Sequence, residues 1–443
     1  MAQQQQEDLI RFFESVPEEQ SGLAPLIATL DVGVSKTTCL ASRRDNILDL
    51  HPNKPMRVLG VGVQSAPAMA SGKPADFDAC ARAIRVAIDE ASFMAGAPIK
   101  RVTASYSGPG LRGGVMRGET RVRGKAIADR DLVAALAAAQ GHVAADQDVL
   151  HVEPLRYFID DGEAVFDPVG LSGRTLAVEA CIVTAPAHAL AALTQCVRQA
   201  GAEIDDIVAG PLASGMSALT EDERNEGALL IDLGAGAMGV SVFAREGLVF
   251  AESIQLGGVR MTRDLAARLN TTFAAAERVK LAYGVVGSNF DPADTVLAPR
   301  LGADGRLESA ATLRGVIAET LAPRVHEMLQ SVRSRLAKAG YWGEQGPQRA
   351  VLVGGGAQLL GLREVASDVL GMPVRIGRPS GLTGFDQGES GPAFAAAAGL
   401  MRWRFEHPAL AEVDGHFAPN LFDAARAMKG AAGKALDWLR ENF

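Results

Sequence analysis

The sequence predicts an α/β protein made of two copies of one unit, and three observations carry that prediction. A β-β-β-α-β order of apolar runs near the N-terminus recurs in the second half of the chain. Both copies end their first strand in an Asp-x-Gly turn, Leu30 to Gly33 and Ile231 to Gly234, with the two aspartates 201 residues apart. The 443 residues are enough for two or more domains with their own cores.

The elements follow in order. Ile27 to Val32 is an apolar run, followed by strand-like runs at Thr37 to Ser42 and Val58 to Val63. Phe77, Cys80, Ile84, Ala87, Ile88, Ala91 and Met94 then repeat at spacings of three and four, the period of a helix with one buried face. Val102 to Tyr106 closes the unit as a strand. Ser107 to Thr175 is polar and basic-flecked with short strands of its own, an insertion into the first unit. Ala180 to Val197 is uncharged but holds Thr184, Pro186, His188, Thr194 and Gln195, which suits a strand running into a helix better than a membrane span. The second unit has Ala228 to Leu233, Val240 to Ala244 and Leu248 to Ile254, then Gly257-Gly258 and a helix over Val259 to Leu269. After Arg404 the chain is irregular and polar through Pro419, then helical to its end.

Composition excludes several classes. Forty-four basic against 52 acidic residues give a net charge of −8, a poor match for a phosphate backbone, so no nucleic-acid partner is expected. Apolar residues at 48% and charged residues at 22% exclude global disorder. Cys39, Cys80, Cys181 and Cys196 form no CxxC pair and have no histidine at zinc spacing, so incidental thiols of a reduced, cytosolic protein are expected. Met1 to Gln20 is rich in Gln and Glu with no apolar run, which predicts no signal peptide.

The two Asp-x-Gly turns suit phosphate chemistry. Glycine lets backbone N–H groups approach an anion, and a carboxylate at a strand tip holds hydrated Mg2+ against phosphate oxygens. Asp31, Gly33, Ser35, Lys36 and Thr37 form the first candidate turn, with hydroxyls and one cation. Asp232, Gly234, Ala235 and Gly236 form the second, mostly backbone. Asp31 and Asp232 are the candidate Mg2+ holders, through water. A third cluster, Gly354, Gly355, Gly356 and Gln358, follows the apolar run Val351 to Val353 and precedes a helix-like stretch, a usual seat for a nucleotide. Glu277 and Lys280 stand at i and i+3 of a probable helix, a spacing that suits either a surface ion pair or a ribose contact.

Taken together, the two hairpins, the Glu277 to Lys280 helix and the Gly354 to Gln358 turn resemble the actin-like ATPase superfamily. Within it the chain is most similar to the FtsA family. Leu150 to Pro154, Asp167-Pro168-Val169-Gly170-Leu171-Ser172-Gly173, Leu219 to Arg224, Leu229 to Gly236 and Val351 to Gly361 carry that similarity, which spans about Leu26 to Met401. It implies two duplicated RNase H-like α/β domains with small inserted subdomains, plus a C-terminal amphipathic helix. The implied layout begins with a disordered tail at 1–24. A first domain covers 25–106 and 176–210, completed by 385–403, with an inserted subdomain at 107–175. A second domain covers 211–256 and 349–384, with a small subdomain at 257–348. A linker at 404–420 leads to a membrane-targeting helix at 421–443.

The resemblance further implies an ATP-binding, filament-forming adaptor of cell division that ties FtsZ to the inner face of the cytoplasmic membrane at midcell and recruits later division proteins. Those later partners would meet the inserted subdomain. The C-terminal peptide of FtsZ would dock on the 257–348 subdomain, where Arg314, Glu319 and Arg324 lie on a probable helix. The weighed alternatives are an ATP-binding pilus-assembly scaffold of the same fold and a small-molecule kinase.

Hydrolysing actin-like enzymes carry Thr and Asp after the second hairpin's glycines, and Glu or Gln before the helix preceding it. Here Ala237, Met238 and Gly239 stand in the first place and Gly210 in the second, so at most weak ATPase activity is expected, with no catalytic residue assigned. From Leu421 a helical wheel puts Leu421, Met428, Leu436, Trp438, Leu439 and Phe443 on one face and charges on the other, an amphipathic helix fit for a lipid surface.

Overall fold

The computed structural model describes residues 26–43, 56–65, 69–70, 73–74, 76–245, 247–344, 346–384 and 391–407. The expected N-terminal tail, most of the linker and the terminal amphipathic helix lie outside these.

The first unit starts with an antiparallel meander, β1 (Leu26–Val32), β2 (Lys36–Arg43) and β3 (Met56–Ser65). A minute hairpin, β4 (Met69–Ala70) and β5 (Lys73–Pro74), leads to helix α1 (Phe77–Ala95). The Asp76 carboxylate caps this helix by accepting the Ala79 N–H at 2.9 Å, and Gly96 ends it in the left-handed region at φ 69°. Its predicted apolar stripe is buried at Cys80, Ile84, Ala87, Ile88 and Ala91. Strand β6 (Arg101–Tyr106) then pairs parallel to β1.

The insertion comprises β7 (Arg112–Arg121), helix α2 (Asp129–Gln140), β8 (Gln147–Ile159), the short β9 (Ala164–Val165) and β10 (Thr175–Pro186). Here the structure corrects the sequence-based boundary at 175. Strand β10 pairs antiparallel with both β7 and β8, so the insert's sheet runs through Pro186. Proline, which ends the ladder by lacking an N–H, marks the true junction. The chain goes straight on into α3 (Ala187–Gln199) and then β11 (Glu203–Ala209), which returns to the first sheet parallel to β6.

Two helices, α4 (Gly210–Ala218) and α5 (Glu221–Glu226), lead to the second unit. This repeats the meander as β12 (Ala228–Leu233), β13 (Met238–Ala244) and β14 (Gly247–Ile254). Its small subdomain holds α6 (Gly258–Leu269), α7 (Phe273–Tyr283), a hairpin of β15 (Thr295–Leu301) and β16 (Leu307–Leu313), and the long α8 (Arg314–Lys338). Strand β17 (Ala350–Val353), helix α9 (Leu362–Leu370) and β18 (Val374–Ile376) complete the second sheet. A two-residue strand β19 (Leu382–Thr383) and helix α10 (Ala395–Glu406) finish the described chain.

The duplication is explicit in strand order. The first sheet runs β11-β6-β1-β2-β3-β19, and the second begins β18-β17-β12-β13-β14, the same pattern of a meander with two parallel strands beside its first member. The second sheet then continues β7-β10-β8-β9, because β14 pairs with β7 at Phe250 to Glu252. The insert thus hangs from the first unit by sequence and from the second by hydrogen bonds. Two further details differ from the expected layout. Strand β19, placed with the second domain by sequence, pairs with β3 of the first, and α10 extends two residues past Arg404.

Helix α10 is clamped to α4 by polar contacts between small residues. The Ser217 hydroxyl donates to the Ala395 carbonyl at 2.6 Å. At its far end the Trp403 indole donates to Asp206 at 3.1 Å, stacks on His407 at 3.7 Å and meets the edge of His151 at 4.9 Å. His151 in turn accepts the Ala209 N–H at 2.9 Å, and burial pushes its pKa down to about 3, so it stays neutral. No helix among the described residues is long and apolar enough to cross a membrane.

Candidate functional site

Both Asp-x-Gly turns open on one cleft of about 460 Å³ between the two units, within the usual range for a small-molecule site. Asp31, Gly33, Ser35, Lys36, Asp232, Gly234, Ala235, Gly236, Glu277, Lys280, Gly354, Gly355, Gly356 and Gln358 all line it. Of the sequence-predicted residues for this cleft, Thr37 alone is misplaced. Successive strand residues point to opposite faces, so Lys36 turns into the cleft and Thr37 into the core, where its hydroxyl has no hydrogen-bond partner among the described residues.

The two turns touch. A Cβ on Gly236 would stand 2.5 Å from the Val34 side chain, so the tip of the first hairpin rests on the backbone of the second. At the base of each turn the carboxylate is held by a serine that the sequence pattern did not flag. The Ser105 hydroxyl on β6 donates to Asp31 at 2.5 Å, and the Ser214 hydroxyl on α4 donates to Asp232 at 2.6 Å. No local motif marks either serine, because each reaches its aspartate from a separate element.

Burial dominates the electrostatics. It raises the Asp31 pKa, against the opposing effects of the Ser105 hydrogen bond and of Lys36. Asp232 is pushed up to about 6 by burial, with the negative charge of Asp31 adding to the shift and Ser214 and Lys36 opposing it. Lys36 is lowered to about 8 by burial, although both aspartates favour its charged form. Its ammonium lies 3.3 Å from the centre of the Phe394 ring, a cation–π contact reaching from the start of β2 to the segment before α10. Two carboxylates around one partly desolvated ammonium leave the floor with an excess negative charge that a further cation would relieve.

The third glycine cluster is shaped by contact with the second aspartate. Gly354 has φ 83°, and a Cβ there would stand 2.3 Å from Asp232 Oδ1. The turn continues as one 3₁₀ turn, Gly355–Gln358, and α9 starts only after Gly361, so the cluster does not open that helix directly. Glu277 and Lys280 on α7 are more than a surface ion pair. Lys280 donates to Glu277 at 2.8 Å, to Thr262 Oγ1 at 2.8 Å and to the Gly258 carbonyl at 3.2 Å, and Thr262 also bonds Glu277. Helix α6 is itself tied to the second hairpin through Gly258 N–H to the Gly234 carbonyl and Val259 N–H to the Ala235 carbonyl. The second turn, α6 and the Glu277–Lys280 pair are therefore joined in one hydrogen-bonded network.

The candidate peptide-docking residues lie elsewhere, on α8. Arg324 donates to both Asp264 oxygens, at 2.9 and 3.2 Å, and also bonds Glu327. Arg314 is 3.6 Å from Asp294. Both cations thus have carboxylate partners within the chain. Glu319 on the same helix is exposed.

Comparison with known proteins agrees with this architecture. The family described as Cell division protein FtsA matches residues 229–399, and the one described as SHS2 domain inserted in FTSA matches residues 108–184. The latter range ends within β10, beyond the boundary at 175 expected from sequence. The cell division protein FtsA of Rhizobium meliloti is 33% identical over 426 residues, covering 94% of this chain and 95% of the relative. That of Pseudomonas aeruginosa is 31% identical over 386 residues, covering 87% and 90%. Among solved structures, one titled PilM-PilN type IV pilus biogenesis complex aligns with TM-score 0.60 at 18% identity, over 85% of this chain and 98% of that one, a likeness of fold alone. The chain belongs to the FtsA family of cell-division proteins, with an actin-like fold in which the SHS2 insert extends the second sheet.

Proposed function

We propose that this protein binds ATP with Mg2+ in the cleft, assembles with itself into filaments, and anchors FtsZ to the inner face of the cytoplasmic membrane at midcell, where it recruits later division proteins. The observation that carries this reading is the convergence of both aspartate-tipped hairpins, Lys36, the Gly354–Gly356 turn and the Glu277–Lys280 pair on one cleft in a chain of this family.

The donor set fits a magnesium nucleotide. Asp31 and Asp232 supply hard oxygen ligands whose mutual repulsion a divalent cation relieves. Bound Mg2+ would offset the charge of the phosphates. Lys36 and the backbone N–H groups of Val34, Ser35, Ala235 and Gly236 would hold those phosphates, the N–H groups of Gly33 and Gly234 being used to close their own turns, while Glu277 and Lys280, fixed by Thr262, would face the ribose side. The nucleotide would then pin the two units together, since each contributes one hairpin.

Slow turnover follows from what stands at the hydrolytic positions. A Cβ on Gly210 would fall 1.8 Å from Ser107 Oγ, so that place is already filled by a hydroxyl. Ala237 and Gly239 line the cleft without any group to orient water, and Met238 is fully buried. Among the described cleft residues the carboxylates are Asp31, Asp232 and Glu277, each already held by a hydroxyl or ammonium donor. With Asp31 and Asp232 assigned to the cation and Glu277 to the ribose, no further carboxylate among the described cleft residues is left to serve as a kinase base. Purified protein should therefore retain ATP through gel filtration with Mg2+ and release phosphate only slowly. Rapid Mg2+-dependent phosphate release would refute the reading.

Affinity should also follow the charges on the floor. Below about pH 6 Asp232 takes up a proton and loses its hold on the cation, and above about pH 8 Lys36 loses its charge and its attraction for phosphate. Titration calorimetry with Mg2+-ATP should give a bell-shaped profile with its maximum between those limits. A flat profile from pH 5 to 9 would show that these two groups do not govern binding.

A further inference from the structure

The four thiols expected to be incidental are not equivalent in the structure. All are buried, but Cys80 and Cys196 line the cleft wall while Cys39 and Cys181 do not. Cys80 lies on the buried stripe of α1, and Cys196 follows Ala189 and Leu193 on the cleft-facing side of α3.

The C-terminal end of α3 is clamped to α1 on either side of Cys80. At one end Gln199 Nε2 donates to Asp78 Oδ1 at 2.6 Å. Towards the other, Arg85 donates to the carbonyls of Gln199 at 2.9 Å and Ala200 at 3.2 Å. About one turn back along α3 the Cys196 thiol lies in hydrogen-bond contact with Cys80, which lowers the Cys80 pKa and raises that of Cys196. A pair in which one thiol favours its thiolate and the other keeps its proton has the polarity of an attacking and a resolving cysteine.

We propose that Cys80 and Cys196 form a redox-active dithiol site on the cleft wall, converted to an intramolecular disulfide by a peroxide. The Cys80 thiolate attacks one peroxide oxygen, the O–O bond breaks, and the leaving hydroxide takes a proton to become water. The resulting sulfenic acid is attacked by the Cys196 sulfur. An S–S bond forms, the S–O bond breaks, and the departing oxygen leaves as a second water with the Cys196 proton. In sum two thiols are oxidised and one peroxide is reduced to two waters. The bridge would fasten α3, into which the insert's last strand runs directly, to α1 of the first unit.

The test uses the full chain, native and without nucleotide, so it does not depend on what the cleft binds. Hydrogen peroxide treatment, denaturation with an alkylating agent and peptide mass mapping should give a Cys80–Cys196 linked pair, with Cys39 and Cys181 alkylated. Free thiols should fall from four to two per chain, and dithiothreitol should restore all four. Cys80→Ser and Cys196→Ser should each abolish the intramolecular bridge. Retention of four thiols in the folded wild-type protein, oxidation of all four alike, or bridges only between chains would overturn the proposal.

Discussion

Asp232→Asn is expected to weaken Mg2+-ATP binding about ten- to a hundredfold, the scale of one charge-assisted contact at about 1.5–3 kcal/mol, while raising the thermal stability of the nucleotide-free protein. The two effects have opposite signs because one carboxylate serves the ligand at the expense of the fold. Burial lifts the pKa of Asp232 from 3.8 to about 6, so ionising it in the native state costs about 2–3 kcal/mol. A raised carboxylate pKa means that this stability is present below the unfolded-state value and is lost as pH rises through about 6. Asparagine cannot ionise and still accepts the Ser214 hydroxyl, so the variant escapes that loss. Its unfolding midpoint should exceed that of wild type by a few degrees at pH 7.5, by about half as much at pH 5, and by little below the unfolded-state pKa of 3.8. A variant that binds Mg2+-ATP as tightly as wild type would remove Asp232 from the site. One that is less stable at pH 7.5 would contradict the assigned electrostatics.

Truncation before Ala418 is expected to abolish sedimentation of the protein with liposomes. On a helical wheel Leu421, Met428, Leu436, Trp438, Leu439 and Phe443 would fall on one face, and each large apolar side chain moved out of water is worth about 1.5–3 kcal/mol before interfacial and ordering losses. Gly430 and Gly433 each oppose helix formation by about 1 kcal/mol. A single tail should therefore bind weakly, and many tails on one filament firmly, which makes attachment depend on assembly. Trp438→Glu should reproduce most of the truncation's effect by placing a charge on the inserted face. Undiminished sedimentation of the truncated chain would refute the membrane assignment, whatever the state of the nucleotide cleft.

The cleft was legible in the sequence to an unusual degree because its parts are backbone turns. A turn between two strands is encoded by neighbours, so Asp31 with Gly33 and Asp232 with Gly234 could be recognised without knowing what they face. The same holds for Gly354, whose φ of 83° is a local demand. Thr37 failed for an equally local reason, since the two-residue period of a strand separates it from Lys36. The ion pairs of Arg314 and Arg324 were not legible because their partners, Asp294 and Asp264, are 20 and 60 residues distant in the chain.

The sequence by itself determined the duplicated α/β unit, the three glycine turns, the insertion and the amphipathic pattern of the terminal segment, all written in periodicities and spacings of a few residues. Only the tertiary structure decided how those parts are joined. It placed β10 with the insert, because pairing is chosen by the edges that meet. It brought Ser105 and Ser214 to the two aspartates and Phe394 to Lys36, and it set Trp403 between His151 and His407 at the end of α10. It also singled out Cys80 and Cys196 from four thiols that composition had made equal. Their chemistry depends on desolvation and on partners more than 100 residues away in the chain, and no local pattern of residues encodes either.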